Sequence, residues 1–254
     1  MRRASTYLAL LGLAALGVPV AASAAPVVTL VAKPIPIPGF PHTGDILGAG
    51  AALEVKYTIN GSEAPGGLPS PLTRVTFWEP AGVRRHPQGF VRCKPEVLES
   101  SGPSGCPKRS QASWAGSAEV AQKIGSETVK EQATVQAFFA PGGGLVFYSN
   151  AASPISAQLI AATGNYIPGS ASGPYGEEFT SEVKLVKTLP ETEYVSVESI
   201  NLKIGAAFRK GKKTVYYARG PKKCPKGGFP FKSELTFLSG ETVTVTYRSP
   251  CPRR

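Results

Sequence analysis

The sequence predicts an all-β protein, an antiparallel β-sandwich stabilised by two local disulfides. Three observations support this fold class. Apolar and polar residues alternate over most of the chain, runs rich in glycine and proline separate the alternating segments, and no window of a dozen residues keeps the apolar spacing of a capped helix. Because no helices link parallel strands, we expect neighbouring strands to pair antiparallel.

The first 24 residues predict a secretory signal peptide. Met1-Arg2-Arg3 is positively charged, residues 7–20 are almost wholly apolar, and Ala22-Ser23-Ala24 has the small-x-small pattern of a cleavage site. The apolar run is shorter than the ~20 residues that span a bilayer, which argues against a transmembrane anchor. We therefore expect a single secreted all-β domain over residues 25–254, with no membrane span, which is either freely exported or loosely retained at the cell wall by charge.

The first half of this domain predicts two strands and then a long irregular stretch. Residues 53–59 alternate strictly and end at the turn pair Asn60-Gly61, and residues 74–78 form a second strand that Pro80 closes. Residues 81–113 are rich in proline, glycine, serine and arginine. We expect this stretch to be irregular and to be ordered by a disulfide.

The middle of the chain predicts longer strands. Residues 115–140 favour two strands with a turn at Gly125-Ser126, although the content of alanine, glutamate, glutamine and lysine over 119–132 leaves a helix arguable. Residues 141–144 then form a turn, and residues 145–148 form the next strand of a hairpin.

Three further strands are predicted downstream. They cover residues 156–161, 178–188 and 194–207, with a loop over 164–176 between the first two. The alternation in 194–207 changes phase once, near Glu198-Ser199. Because a one-residue slip moves side chains to the opposite face, we expect a β-bulge there.

The last segment predicts a strand and then a β-hairpin. Residues 215–218 form the strand, and the hairpin joins residues 229–238 to residues 241–248 through Ser239-Gly240. If residue 238 faces residue 241, residue 251 falls opposite residue 228.

Four cysteines predict two disulfides in an oxidising compartment. Three pairings are possible, and we favour Cys93 with Cys106 and Cys224 with Cys251 because each pair is close in sequence. A four-thiolate metal site is disfavoured because the sequence has no C-x-x-C pair.

The excess positive charge lies in the last fifth of the chain. Residues 203–254 contain thirteen Lys or Arg against two acids, whereas residues 25–202 contain thirteen basic and fifteen acidic residues. The cations cluster at Arg209, Lys210, Lys212 and Lys213 and again at Lys222 and Lys223. These clusters predict either a surface for an anionic partner or solvated turns around glycine and proline.

The sequence contains no pattern typical of a catalytic, cofactor or metal site. The histidines are His42 and His86, the single aspartate is Asp45, and neither a nucleophile elbow nor a phosphate-binding loop occurs. The pair His42-x-x-Asp45 lacks the further ligands that a metal needs. Two groups of residues remain as candidates. A carbohydrate-active site could use the carboxylates Glu177, Glu178, Glu191 and Glu193, which are more simply strand-end and turn charges. A sugar-binding face could use the aromatics Trp78, Trp114, Tyr148, Tyr166 and Tyr175, for which the core or a cross-strand pair is the commoner place.

The cysteine framework resembles that of uncharacterised exported β-rich proteins of high-GC Gram-positive bacteria. The similar segments are 89–93, 106–107, 116–118, 199–205, 208–209 and 224–229 with Cys251. The resemblance implies an exported β domain with two local disulfides, and it brings no assigned activity.

The function expected from the sequence is that of a non-enzymatic exported protein. Its basic C-terminal turns would associate with an anionic cell-wall polymer or another extracellular partner, without specific nucleic-acid recognition. The alternative is a carbohydrate-binding or carbohydrate-active extracellular protein.

Overall fold

The computed structural model describes residues 25–40, 47–152, 158–168 and 173–251, so the predicted signal peptide lies outside the described residues. The described residues form fifteen strands and one α-helix, and all paired strands are antiparallel. The elements are β1 (Val27–Ile35), β2 (Ala52–Asn60), β3 (Leu72–Pro80), β4 (Arg84–Arg85), α1 (Pro95–Ser101), β5 (Ser113–Ile124), β6 (Glu127–Phe139), β7 (Leu145–Ala151), β8 (Gln158–Pro168), β9 (Tyr175–Glu182), β10 (Ser196–Ile204), β11 (Ala207–Lys210), β12 (Lys213–Tyr216), β13 (Ala218–Arg219), β14 (Phe229–Phe237) and β15 (Thr242–Ser249).

Eleven strands form one continuous sheet in the order β1-β2-β10-β5-β6-β7-β8-β9-β3-β14-β15. Strand β8 belongs to both layers of the sandwich, because its first part pairs with β7 up to Gly164 and residues 165–168 pair with β9. The edge strands β1 and β15 lie against each other. No helix within the described ranges is long and apolar enough to cross a membrane.

The two layers enclose the core because alternate residues of each strand face inward. Val28, Leu30 and Ala32 of β1 are buried, and so are the phenylalanines of β14. The layers are also joined by a hydrogen bond that the Tyr57 hydroxyl donates to Ser233 Oγ over 2.9 Å. Burial of each large apolar side chain contributes about 1.5–3 kcal/mol, so this packing is the main stabilising contribution.

Both disulfides form as predicted, Cys93 with Cys106 and Cys224 with Cys251. They fit an oxidising compartment. The long hairpin of β5 and β6 and the strand after the 141–144 turn are confirmed. The expected bulge is also confirmed, because the register of β10 against β5 shifts between Val197 and Ser199.

The prediction of a wholly irregular 81–113 segment is wrong, because this segment contains β4 and the helix α1. The helix has seven residues, starts at Pro95 and buries Leu98. Proline suits a first helical position because it has no N–H to leave unpaired. A helix of seven residues is too short to show the helical apolar pattern over a dozen residues on which the prediction depended.

The predicted loop over 164–176 is also wrong at its beginning. Asn165–Pro168 continue β8 and pair with β9, so Gly164 marks a change of partner and not the end of a strand. Strand β9 ends at Glu182, six residues before its predicted end. The strand β1 was not predicted.

The register of the terminal hairpin differs from the prediction by one residue. Thr236 faces Thr242, and the Phe237 N–H donates to the Glu241 carbonyl, so the loop has three residues and not two. Gly240 has a φ of +89°, the left-handed conformation that such loops favour.

Glu54 is the centre of a cross-strand ion cluster on the outer face. It faces Lys33 on β1 and Lys203 on β10, and its carboxylate lies 2.9 Å from Lys33 Nζ. The hydrogen bond from Lys33 outweighs the effect of burial, and together with the charges of Lys33, Lys56 and Lys203 it lowers the pKa of Glu54. Glu54 is only 6% exposed.

The variant Glu54→Gln is expected to lose about 0.5–1 kcal/mol of unfolding free energy at pH 7. Because the pKa is lower in the folded state, this contribution is present above the unfolded value near pH 4.3 and disappears as pH falls through the folded value. Urea unfolding at pH 3–7 measures it, with exposed Glu127→Gln as the control. A difference that is constant with pH would contradict the assignment.

Candidate functional site

The first basic cluster lies on the hairpin of β11 and β12. Arg209 and Lys210 end β11, Lys213 begins β12, and Lys210 faces Lys213 across the turn. Gly211 has a φ of +59°, which lets the chain reverse there. Arg209, Lys210, Lys212 and Lys213 are all exposed.

The second basic cluster, Lys222 and Lys223, follows β13. The Pro221 carbonyl accepts a hydrogen bond from Gly48 N–H over 2.9 Å, and Cys224 is bonded to Cys251. Both lysines are exposed on a segment fixed at each side. No hydrogen bond or strand register in the described part of the chain joins this cluster to the first one.

We call the six cations of the two clusters the basic turns: Arg209, Lys210, Lys212, Lys213, Lys222 and Lys223. No carboxylate of the described residues lies within ion-pair distance of any of them. Lysines on the sheet faces, by contrast, form ion pairs with carboxylates, for example Lys33 with Glu54 and Lys130 with Glu198. The basic turns therefore present their charge to solvent.

The structure adds cations that sequence reasoning did not connect with these turns. Arg84 of β4 faces Arg219 of β13, and the Arg109 guanidinium lies 5.6 Å from the centre of the Phe208 ring, next to Arg209. Because Arg84 and Arg219 are 135 positions apart, no local pattern indicates their pairing.

An apolar cavity of about 210 Å³, here called the central cavity, lies between the two layers of the sandwich. Its wall includes Val55, Val120, Val135, Phe147 and Phe179. Aliphatic and aromatic side chains from eight strands make up most of this wall. Such a surface can contact apolar molecules but offers few groups for acid–base chemistry.

A buried ion cluster lies at one end of the central cavity. Glu79 of β3 faces Glu177 of β9, and Arg85 reaches both carboxylates, with Nη2 2.5 Å from Glu79 Oε2 and Nη1 paired with Glu177. The Arg85 guanidinium also lies 3.4 Å from the centre of the Tyr166 ring. The side chains of Arg85 and Glu79 are each 9% exposed. Arg85 therefore neutralises one of two carboxylates that would otherwise repel each other.

The ionisation of this cluster follows from its burial. Burial is the largest single effect and disfavours the charged Arg85 guanidinium, but the charge of Glu79, the two neighbouring tyrosines and the hydrogen bond to Glu79 together outweigh it, so the pKa of Arg85 is raised and the group stays charged. Burial also raises the pKa of Tyr166 and of Tyr217, which keeps both hydroxyls neutral.

Two polar atoms of the ion cluster make no hydrogen bond within the described residues, Arg85 Nε and the Tyr217 hydroxyl. The Tyr217 hydroxyl lies near that of Tyr166 but not in hydrogen-bonding geometry. Arg85, Glu79, Tyr166 and Tyr217 all line a second, smaller cavity of about 70 Å³. Glu79 and Tyr166 line both cavities and thus stand between them.

Sequence reasoning missed Arg85 and Glu79. One signal was available, because Glu79 continues the inward phase of Val75 and Phe77 in β3. A carboxylate at an inward position needs a buried partner. The sequence does not reveal that the partner is Arg85.

The candidate carbohydrate-site carboxylates do not converge. Glu177 is in the ion cluster, Glu178 lies opposite Trp78 on the outer face of the β3–β9 pair, and Glu191 and Glu193 belong to the irregular segment before β10. The structure therefore adds no support for a two-carboxylate catalytic site, and this alternative stays a prediction.

The five candidate aromatics are also dispersed. Tyr166 lies inside, where it packs on Phe179, whereas Trp78 holds Lys232 Nζ 4.1 Å from its ring centre and Trp114 is 36% exposed. The expectation of a place in the core or in a cross-strand pair is thus confirmed for Tyr166, which lies inside, and for Trp78, which pairs with Lys232 across strands, whereas Trp114 does not lie in the core. Tyr148 and Tyr175 are half-buried. No ring contact in the described part of the chain joins any two of the five.

The pair His42 and Asp45 lies outside the described residues. Within the described ranges, no three His, Cys, Asp or Glu side chains are grouped so that they could hold a metal ion.

Comparison with known proteins finds no match for this chain: neither a family model, nor a curated protein, nor a solved structure corresponds to it.

Proposed function

We propose that this protein is an exported, non-enzymatic binding protein that associates with an anionic cell-wall polymer through its basic turns. The proposal is carried by one observation: the six cations are exposed, and no carboxylate of the described residues lies within ion-pair distance of them. Such a surface attracts polyanions and raises their local concentration.

The charge distribution supports this proposal. The acids of the C-terminal fifth are Glu234 and Glu241, which lie on the terminal hairpin and not on the basic turns. Charge selected only for solubility would have no reason to collect in one region, because scattered charge of either sign serves solubility equally well.

The form of the surface favours a polymer over a small anion. The two clusters are held by different contacts, and none of their six cations lines either of the two cavities described above. A chain of repeated negative charges can contact both clusters, whereas one phosphate or carboxylate group cannot.

Export supports a wall polymer in particular. The predicted signal peptide and the two disulfides are both typical of a protein that works outside the cytoplasm. The polyanions that such a protein meets first are those of the wall.

The variant Lys210→Gln/Lys212→Gln/Lys213→Gln tests the proposal. We expect it to bind isolated cell-wall fractions about tenfold more weakly than the wild-type protein at 0.05 M salt, with a shallower dependence of the binding constant on salt. Sedimentation of the protein with the wall fraction over a series of salt concentrations measures both quantities.

The matched control is Lys130→Gln/Lys184→Gln/Lys187→Gln, which removes the same charge from exposed lysines elsewhere. We expect its affinity to fall by less than about threefold. Wall binding that does not change with salt, or an equal loss in both triple variants, would overturn the proposal. A carboxylate polymer and a phosphodiester polymer of equal length, used in place of the wall fraction, distinguish the two kinds of polyanion.

A further inference from the structure

The central cavity divides the core of the sandwich. Two separate clusters of buried apolar residues exist on either side of it, and four half-buried side chains pack against both. These four are Phe147, Val197, Ile200 and Ile204, and all of them line the cavity. Protein interiors are normally close-packed, with few spaces larger than a water molecule. A cavity of about 210 Å³ is therefore a feature that needs an explanation.

The cavity has a specific origin in the sequence. Ala118, Ala133 and Ala151 face one another across β5, β6 and β7, and all three are buried in the cavity wall. Three alanines in one row leave the space that larger residues would fill. Valine or leucine would suit the same strands, so the space results from side-chain size and not from strand geometry.

The volume sets the size of a ligand. An apolar cavity of roughly 150 Å³ accepts benzene, so a cavity of this size takes a molecule of about eight non-hydrogen atoms. The wall is mainly aliphatic, which favours an apolar body.

The polar groups set the chemistry of one end of the ligand. Glu79 and Tyr166 line the cavity where β3 and β9 hold the buried ion cluster. Two carboxylates and one guanidinium leave an excess negative charge there, which opposes an anion. A neutral hydroxyl can donate to a carboxylate and accept from the Tyr166 hydroxyl.

The other end of the cavity reaches an exposed residue. Along the β3–β9 pair, Glu79 faces Glu177 at one end, and Arg74 faces Glu182 at the other. The irregular segment 183–186 follows Glu182, lines the cavity and includes the exposed Lys184. A ligand entering here would place its leading end at Tyr166.

We propose that the central cavity is a binding site for a neutral, largely apolar molecule of about eight non-hydrogen atoms, whose single hydroxyl lies against Glu79 and Tyr166. The site is independent of the basic turns, so it adds a second ligand class to the proposed function.

Calorimetric titration of the disulfide-bonded protein with three probes tests this proposal. p-Cresol carries the hydroxyl, toluene lacks it, and 4-methylbenzoate replaces it with a charge. We expect p-cresol to bind with 1:1 stoichiometry, about five- to tenfold more tightly than toluene and more tightly than 4-methylbenzoate. In Tyr166→Phe the preference for p-cresol over toluene should fall to about twofold or less.

Ala151→Leu fills the cavity and should weaken p-cresol binding by roughly tenfold or more. The matched control Ala152→Leu changes the adjacent, exposed alanine and should bind as the wild-type protein does. If Ala151→Leu does not fold, Ala118→Val is the milder replacement in the same wall.

Absence of saturable p-cresol binding, or unchanged binding in a folded cavity-filling variant, would overturn the site. Binding of 4-methylbenzoate as tight as that of p-cresol, or an unchanged preference in Tyr166→Phe, would overturn the placement of the hydroxyl. Ala151→Leu should sediment with the cell-wall fraction to the same extent as the wild-type protein, which separates this site from the basic turns.

Discussion

Replacement of Arg85 by methionine is expected to lower the free energy of unfolding by about 3–5 kcal/mol, because it leaves the buried carboxylate of Glu79 facing the half-buried carboxylate of Glu177 without a cation. The large effect comes from the two carboxylates that are left without a cation, and not from the loss of the ion pair itself. Urea unfolding at pH 7 measures it.

Arg84→Met is the matched control, because Arg84 is the neighbouring residue of the same short strand and is exposed. Its effect should stay within about 0.5 kcal/mol. Adding Glu79→Gln and Glu177→Gln to Arg85→Met should restore most of the lost stability, since neutral amides cost less to bury than carboxylates. If Arg85→Met costs less than about 1 kcal/mol, the cluster is not the buried charge centre described above.

Removal of the Cys224–Cys251 disulfide is expected to cost about 3.5 kcal/mol, the second large effect. The two cysteines are separated by 27 residues, and the bond joins the residues before β14 to the end of β15. Without it, the unfolded chain gains the conformations that loop closure had excluded. The double variant Cys224→Ser/Cys251→Ser, unfolded in urea beside the wild-type protein, measures the change.

The second disulfide supplies an internal comparison. Cys93 and Cys106 are 13 residues apart, so their removal should cost slightly less, about 3 kcal/mol by the same reasoning. Amide hydrogen exchange should place the two effects in different regions, with loss of protection in β14 and β15 for one variant and around α1 for the other. The fall in global stability lowers protection across the whole sheet in both variants, so the absence of any additional local loss would contradict local roles for these bonds.

The smaller cavity lies between the buried ion cluster and the segment that leads to the second basic cluster. It is lined by Arg85 and also by residues 218–221, which connect β13 to that cluster.

Several elements could be predicted because their causes are local. The terminal hairpin follows from strict alternation on both sides of Ser239-Gly240, and the bulge in β10 follows from one change of phase near Glu198. The disulfide pairing follows from short separations along the chain. In each case the residues that interact are near one another in sequence.

The errors also have physical reasons. The helix α1 has only two turns, so its apolar pattern reduces to the single buried residue Leu98. The hairpin register differed by one because loops of two and three residues both accept Gly240. Strand β8 continues beyond Gly164 because β9 supplies a new partner for residues 165–168, and the glycine and proline residues of this stretch do not indicate that pairing.

The sequence by itself determined the all-β class, the two disulfides and the collection of positive charge in the last fifth of the chain, since each depends on composition or on short-range pattern. Only the tertiary structure decided the strand order, the contact of Arg85 with Glu177 and the row of Ala118, Ala133 and Ala151 in the cavity wall. These features join residues far apart in the chain. Their pairing depends on which strands become neighbours, and that choice is made by the packing of the whole sandwich.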